Sequence, residues 1–233
     1  VEPVKNDSTL VAMALQGGDT LSANEYVKAA EKATKYDDQI TIYKNMMAAH
    51  AGDYRSYNNL GVLSLQAGKN QEAKKYFEDA KAKDENASEV RNNLGIVTAL
   101  SGDYKMAKDY FTQARNAGQR NDYNIALCAI RLGQWTEATG KMNEVDGNFN
   151  KALAFVLVKN YSAAERETDK IQDKSAAVYY LRAIIGARTD NRDMMTTGLT
   201  RAVAADAKFR DMAKNDAEFI KHWEQDYFKV AIR

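Results

Sequence analysis

Few residues in this chain stand where they could make or break bonds. Cys128 is the one thiol, and a thiol becomes a useful nucleophile only where its surroundings favour the thiolate. It lies among Ala126, Leu127, Ala129 and Ile130, a setting in which cysteine serves as a small apolar filler. His50 and His222 are far apart in sequence, and no HExxH or CxxC spacing gathers the ligands that a metal needs. No metal and no cofactor is expected. Gly17-Gly18 is an isolated pair, better suited to stopping a helix than to cradling a phosphate. Glu165 and Glu167 stand at the spacing of a solvated helix face. The chemistry points away from an enzyme, so the function is sought in binding.

Composition narrows the kind of partner. Of 233 residues, 33 are Lys or Arg and 32 are Asp or Glu, a formal net charge of +1. The two signs are interspersed, with none of the basic clustering that a nucleic-acid binder shows, so no nucleic-acid partner is expected. No apolar run approaches the ~18 residues that a membrane helix needs, so no direct membrane insertion is expected of this segment. One cysteine excludes an internal disulfide and leaves the redox compartment open. The chain opens on Val1 with no leader visible, as expected if a leader has been removed or if the chain is cut from something longer.

The elements that must position any binding residues are helices. The single proline is Pro3, so that residue type bars nothing beyond it from helix. Residues 54–87 and 88–121 align without a gap at an offset of 34, with ten identities. Asn58-Asn59-Leu60-Gly61 returns as Asn92-Asn93-Leu94-Gly95, and Gly68, Ala73, Lys74, Tyr76-Phe77 and Ala80 return as Gly102, Ala107, Lys108, Tyr110-Phe111 and Ala114. Ala73, Phe77 and Ala80 are spaced by four and three and so line one face of a second helix. Gly61 lets a neighbouring helix approach, and Gly68 ends the first helix in a left-handed turn. A weaker copy of the turn signature follows at Gly133-Trp135-Ala138, at Lys159-Tyr161-Ala164, and at Asp190 with Leu199 and Ala202. Short second helices are expected over 136–145 and 162–171. Upstream, 22–35 and 37–49 read as a helix pair, with Ser22 and Glu25 forming a capping box, and 7–16 reads as a shorter leading helix. Terminal helices are expected over 209–213 and 216–228, where Trp223 fastens the cap.

This pattern resembles the tetratricopeptide repeat (TPR) family. The first copy supplies Tyr57, Leu60, Gly61, Gly68, Ala73, Phe77 and Ala80; the second supplies Leu94, Gly95, Gly102, Tyr104, Ala107, Phe111 and Ala114. Departures are Asn70 at the turn aromatic, Arg91 at the first aromatic, and Glu85 and Gln119 where a proline commonly closes the repeat. The resemblance implies an all-α, right-handed superhelical solenoid of antiparallel helix pairs. Its organisation would be a lead-in with a short helix (1–21), a degenerate pair (22–53), five repeats (54–87, 88–118, 119–144, 145–175 and 176–207), and capping helices over 208–233. Caps are needed because an end repeat would otherwise expose an apolar face. Three stretches are also similar to TPR segments of Bacteroidetes cell-envelope proteins that often carry an OmpA-like domain: Tyr57-Asn58-Asn59-Leu60-Gly61, Phe149-Asn150-Lys151-Ala152-Leu153-Ala154, and the run from Tyr179 to Arg188. Asp216-Ala217-Glu218-Phe219 is similar to their closing motif. That likeness implies a cell-envelope location, periplasmic or outer-membrane-associated, with the cytoplasm as the alternative.

In this family the first helix of each repeat lines a concave surface. Carried onto this sequence, the partner-binding residues would be Arg55, Asn58, Val62, Asn92, Ile96, Tyr123, Leu127, Phe149, Leu153, Tyr180, Ile184 and Arg188. Asn58 and Val62 replace the Lys and Asn of the family's carboxylate-gripping members, so that clamp is not expected. The doubled asparagines would either bond a ligand's backbone or tie adjacent repeats together. The function implied is a scaffold for a protein or peptide partner. A glycan- or peptidoglycan-binding module stacking sugars on Tyr123, Phe149 and Tyr180, and a purely structural spacer, are the alternatives.

Overall fold

The computed structural model describes residues 6–118 and 120–233. Pro3, the start of the lead-in and the closing position Gln119 lie outside the described residues. The chain forms two compact units, Val1–Asn124 and Ile125–Arg233. The described residues hold fifteen α-helices, one 3-10 turn and no strand. The fold is all-α.

The N-terminal unit contains α1 (Asp7–Gln16), α2 (Ala23–Lys32), α3 (Tyr36–Ala49), α4 (Tyr54–Gln66), α5 (Asn70–Lys83), α6 (Ser88–Leu100) and α7 (Tyr104–Asn116). Helix α4 packs on α5 and α6 on α7, and each pair leans on the next through α5 and α6. The leading helix occupies the expected span. Gly17 and Gly18 stop it with φ of 77° and 104°, and Asn45 of α3 donates to the freed carbonyls of Ala14 and Leu15. The Ser22–Glu25 capping box opens α2. That helix stops at Lys32, short of the expected Lys35, because Ala33 turns extended and buries its methyl group.

Helix α8 (Asp122–Arg131) carries the boundary between the units. The C-terminal unit continues with α9 (Trp135–Lys141), α10 (Phe149–Leu157), α11 (Tyr161–Lys170), α12 (Ala176–Arg188), α13 (Arg192–Ala205), α14 (Lys208–Asn215), a 3-10 turn (Ala217–Phe219) and α15 (Asp226–Ala231). The short second helices are α9 and α11, the former shorter than expected. Cys128 is buried, and Met46 and Met195 are fully buried core residues.

The expected helix over 216–228 is broken into the 3-10 turn and α15, for a geometric reason. Phe219 and Phe228 are both fully buried, in one apolar cluster. Nine residues of continuous α-helix would set them about 180° apart on opposite faces. Breaking the helix lets both enter the same core. Trp223 joins that cluster and its indole N–H donates to Ala213 O of α14 at 3.2 Å, which fastens the terminal segment as expected. Trp135, in contrast, leaves 40% of its surface exposed.

The turn signature is reproduced in the backbone. Gly68, Gly102, Gly133, Lys159 and Asp190 all have positive φ. The next N–H closes back five residues in four of these turns: Lys69 to Ser64 O, Gln134 to Ala129 O, Asn160 to Phe155 O and Asn191 to Gly186 O. This is the bonding pattern of a left-handed helix stop. Lys159 and Asp190 adopt φ of 61° and 54° with a side chain in place, which costs an L-residue roughly 1–2 kcal/mol. Glycine's larger unfolded-state entropy returns part of that. Lys159→Gly and Asp190→Gly are therefore each expected to stabilise the protein by about 0.5–1 kcal/mol. Urea unfolding of each variant checks this, and a destabilised variant would contradict it.

Candidate functional site, the face of the first helices

In the N-terminal unit the stripe proposed for binding lies along α4 and α6. Residues spaced by three, four and three share a helix face, so Arg55, Asn58, Val62 and Leu65 line one face of α4, and Glu89, Asn92, Ile96 and Ala99 line one face of α6. All are half-buried except Asn58, which is only 8% exposed.

The structure answers what the doubled asparagines do at Asn58. Its carbonyl Oδ1 accepts from Asn93 Nδ2 at 2.9 Å, and its own Nδ2 donates to Asn59 Oδ1 at 3.2 Å. Asn92 Nδ2 reaches Asn93 Oδ1 at 3.3 Å, extending the ladder. The Asn93–Asn58 bond ties one repeat to the next, and the two bonds between chain neighbours orient its partners. The charged end of the stripe is also committed. Arg55 forks onto both oxygens of Asp53 and donates to Asn24 Oδ1 at 2.7 Å, and this pairing holds the Asp53 carboxyl below its ordinary pKa. Tyr54 donates to the Glu89 carboxylate, which pushes the phenol up to about 12. Val62, Leu65, Ile96 and Ala99 remain as a half-exposed apolar strip, with Asn92 beside them.

In α8, Tyr123 of the N-terminal unit and Leu127 of the C-terminal unit are half-buried. Within the C-terminal unit Phe149 and Leu153 of α10 and Ile184 of α12 are also half-buried, and all three pack against the Ala152–Val156–Leu181–Ile185 cluster. Tyr180 and Arg188 need correction. Tyr180 is only 6% exposed, its ring packs on Phe209 and edge-on to Phe219, and its hydroxyl donates to Asp216 Oδ2 at 2.9 Å. Arg188 forks onto both oxygens of Glu218 and donates to the Tyr161 hydroxyl. The chain's own Asp216–Phe219 segment thus covers the face of α12 on which a ligand was expected. A buried Tyr180 ring offers no stacking face to a sugar.

Glu218 and Arg188 make a pH-sensitive latch for that segment. The guanidinium holds the Glu218 carboxyl below the usual glutamate value of 4.5. A depressed folded-state pKa gives stability that is fully present above the unfolded value and is lost as pH falls through the folded one. Arg188→Gln is therefore expected to lower the melting temperature at pH 7, with the gap to the parent chain closing below pH ~4. A gap of constant size from pH 7 to pH 3 would count against the latch.

Sequence reasoning also missed a buried ionic cluster. Glu167, expected on a wet face, is only 3% exposed. Its Oε1 accepts from Asn148 N at 3.2 Å, and its Oε2 lies 3.6 Å from Lys151 Nζ, itself buried. Lys151 Nζ also donates to Val145 O at 2.6 Å and reaches Asp146 at 3.4 Å. Lys170 joins Asp146 at 2.8 Å. The Lys151 ammonium's donors are taken up by Val145 O, Asp146 and Glu167, so the cluster pins the 142–148 loop onto α10 and α11. The available signal was a lysine in the apolar run from Phe149 to Val158.

Residues 55–83, which span α4 and α5, match the family model described as tetratricopeptide repeat. The fold is that of tetratricopeptide-repeat proteins. Among solved structures, PilF of Pseudomonas aeruginosa superimposes with a TM-score of 0.65 at 13% identity, covering 91% of this chain and 100% of its own. A tetratricopeptide repeat protein from Parabacteroides merdae ATCC 43184 gives 0.60 at 14% identity, over 97% of this chain and 91% of its own. YrrB, described as a TPR protein with an unusual peptide-binding site, gives 0.58 at 20% identity, over 75% and 98%. Comparison of the sequence with curated proteins finds no match. In TPR terms, the 54–87 repeat is regular in sequence and structure, and α12 with α13 form a repeat whose first-helix face is closed by the chain's own terminus.

Proposed function

We propose that this chain is a non-catalytic scaffold of a bacterial cell-envelope protein, and that it holds a peptide or helical segment of a partner protein on the first-helix face of its N-terminal repeats. The observation that carries the reading is the strip formed by Val62, Leu65, Ile96 and Ala99, half-exposed on successive first helices while the neighbouring Arg55, Asn58 and Glu89 are occupied by intramolecular bonds. Apolar positions at helical spacing accept the anchors of an amphipathic helix or an aromatic-bearing segment. Asn92, half-exposed at the polar end, can bond a ligand's backbone. The fold likeness to YrrB, described by its peptide-binding site, agrees with a binding role, and the envelope location rests on the sequence resemblance alone. The short motifs shared with envelope TPR segments support the same location.

Site-specific photocrosslinking tests the reading. A benzophenone side chain at position 96 should capture a discrete partner from envelope extract. The same group at position 75, on the exposed face of α5, should not, and Val62→Gln with Leu65→Gln should abolish the product. Equal capture from both positions, or none from position 96 in a folded protein, would overturn the site.

A further inference from the structure

We propose that the Asp216–Phe219 segment is an internal ligand, and that the first-helix face of α12 beneath it takes the same motif from a partner protein: acid, any residue, acid, aromatic. The site belongs to the C-terminal unit, so it goes beyond the N-terminal strip of the preceding reading and stands independently of it.

The α12–α13 hairpin is complete before the chain returns to it. The two helices pack directly on each other, so closely that neither Gly186 nor Gly198 has room for a Cβ. After α14 the chain comes back along the face of α12 that carries Tyr180, Ile184 and Arg188, and its residues there differ in role. Asp216 Oδ2 accepts from the Tyr180 hydroxyl at 2.9 Å. Glu218 is forked by Arg188, with Nε to Oε2 at 2.6 Å, and the Tyr161 hydroxyl of α11 accepts from the same guanidinium at 3.3 Å. Phe219 enters the apolar cluster, edge-on to Tyr180. Ala217 is exposed, and so is Ile220, by 59%. Recognition therefore runs through three side chains.

An apolar cover would suffice to cap a repeat. Two carboxylates, each matched to its own donor, add a selectivity that capping does not need. A forked arginine reads the geometry of a carboxylate as well as its charge, and the edge contact with Tyr180 favours an aromatic ring. The segment's backbone bonds are local: Phe219 N–H donates to Asp216 O, Ile220 N–H to Ala217 O, and Glu218 N–H to Asp216 Oδ1. A turn closed by its own aspartate forms within a few residues of any chain. The face thus selects side chains, not a particular flanking structure.

The tethered copy competes with any partner at an effective concentration on the order of millimolar. A partner therefore displaces it only by adding contacts of its own or where the tethered contacts are weakened. The segment acts as a gate on the α12 face, and the acidic pair is the part of the gate that can be loosened without emptying the core.

The test uses the full chain and a fluorescein-labelled peptide, Ser-Asp-Ser-Glu-Phe-Ser, with Ser-Asn-Ser-Gln-Phe-Ser as control. Asp216→Ala/Glu218→Ala removes the two acidic contacts of the tethered copy but keeps Phe219. That variant is expected to bind the acidic peptide about tenfold or more tighter than the parent chain does, because the competitor has lost charge-assisted bonds. Binding should shift the amide resonances of Tyr180, Ile184 and Arg188 and move those of 217–220 towards random-coil positions. Adding Arg188→Gln should abolish it, and Val62→Gln with Leu65→Gln should leave it unchanged. Circular dichroism verifies folding, and Glu218→Gln, an exchange of nearly equal size, gives the same order of affinities if the double variant does not fold. No binding at millimolar peptide, equal binding of the control, indifference to Arg188→Gln, or a bound peptide that leaves 217–220 in place would each overturn the proposal. So would a dimer that exchanges the segment between copies, which assigns the face to a second copy of this chain.

Discussion

Phe219→Ala is expected to lower the stability of the C-terminal unit by about 3–5 kcal/mol, the range for emptying a fully buried phenylalanine site. Phe219 has no exposed surface, and its ring meets Tyr180 edge-on at 5.6 Å and Phe228 at 5.9 Å. The site has little means of collapse, because Tyr180 is anchored by its hydrogen bond to Asp216 and the segment is latched by Arg188 and Glu218. The loss should be concentrated in the terminal cap. Hydrogen exchange should show amides of α14 and α15 opening well before those of α10 and α11, with a calorimetric transition shifted down. Uniform loosening across the unit would contradict the cap as the point of weakness. Once the cap has opened, Tyr180 should become reactive to iodination, since its burial depends on Phe209 and Phe219.

Gly186→Ala and Gly198→Ala should each cost about 3 kcal/mol, the upper part of the range for overpacking. An added Cβ at Gly186 would stand 2.5 Å from Met195 N and 2.9 Å from Asn191 O; one at Gly198 would stand 2.7 Å from Tyr179 O and 2.8 Å from Ala183 N. These are backbone atoms, so relief requires α12 and α13 to move apart. At Gly61 and Gly95 the added carbon meets the Phe77 and Phe111 rings at 2.5 and 2.6 Å. A ring can tilt where a backbone cannot, so Gly61→Ala is expected to cost less than Gly198→Ala, with the better helix propensity of alanine offsetting part of it. Thermal unfolding of the three variants gives the order. A Gly198→Ala protein as stable as the parent would show that the two helices are not held at that distance.

The contrast between these glycines shows which features were legible beforehand. In the 54–87 and 88–121 copies the close approach falls on the glycine of the Leu-Gly pair, which a 34-residue alignment exposes. In the α12–α13 pair the equivalent position is Ala183, and the close approaches fall instead on Gly186, one turn further along the first helix, and on Gly198 of the second. Contact requires only that one of two facing positions be small, and an alignment of single helices does not see which. Tyr180 was misplaced for a related reason. The family resemblance assigns it to the face of α12 that a ligand would meet, but Asp216, 36 residues on, comes back to that face and closes it. Glu167 reads as one carboxylate among many until Lys151 is brought beneath it from α10.

What the sequence determined by itself is whatever a single helix or turn carries: the leading helix, the Ser22–Glu25 box, the apolar faces through Phe77 and Phe111, and the left-handed stops from Gly68 to Asp190. These rest on a 3.6-residue period and on backbone preferences that act over about five residues, so one copy suffices to read them. The tertiary structure alone decided which parts of those faces remain open. Asn58 was turned inward by Asn93 and α12 was covered by the chain's own terminal segment, because partners from distant positions reached those side chains.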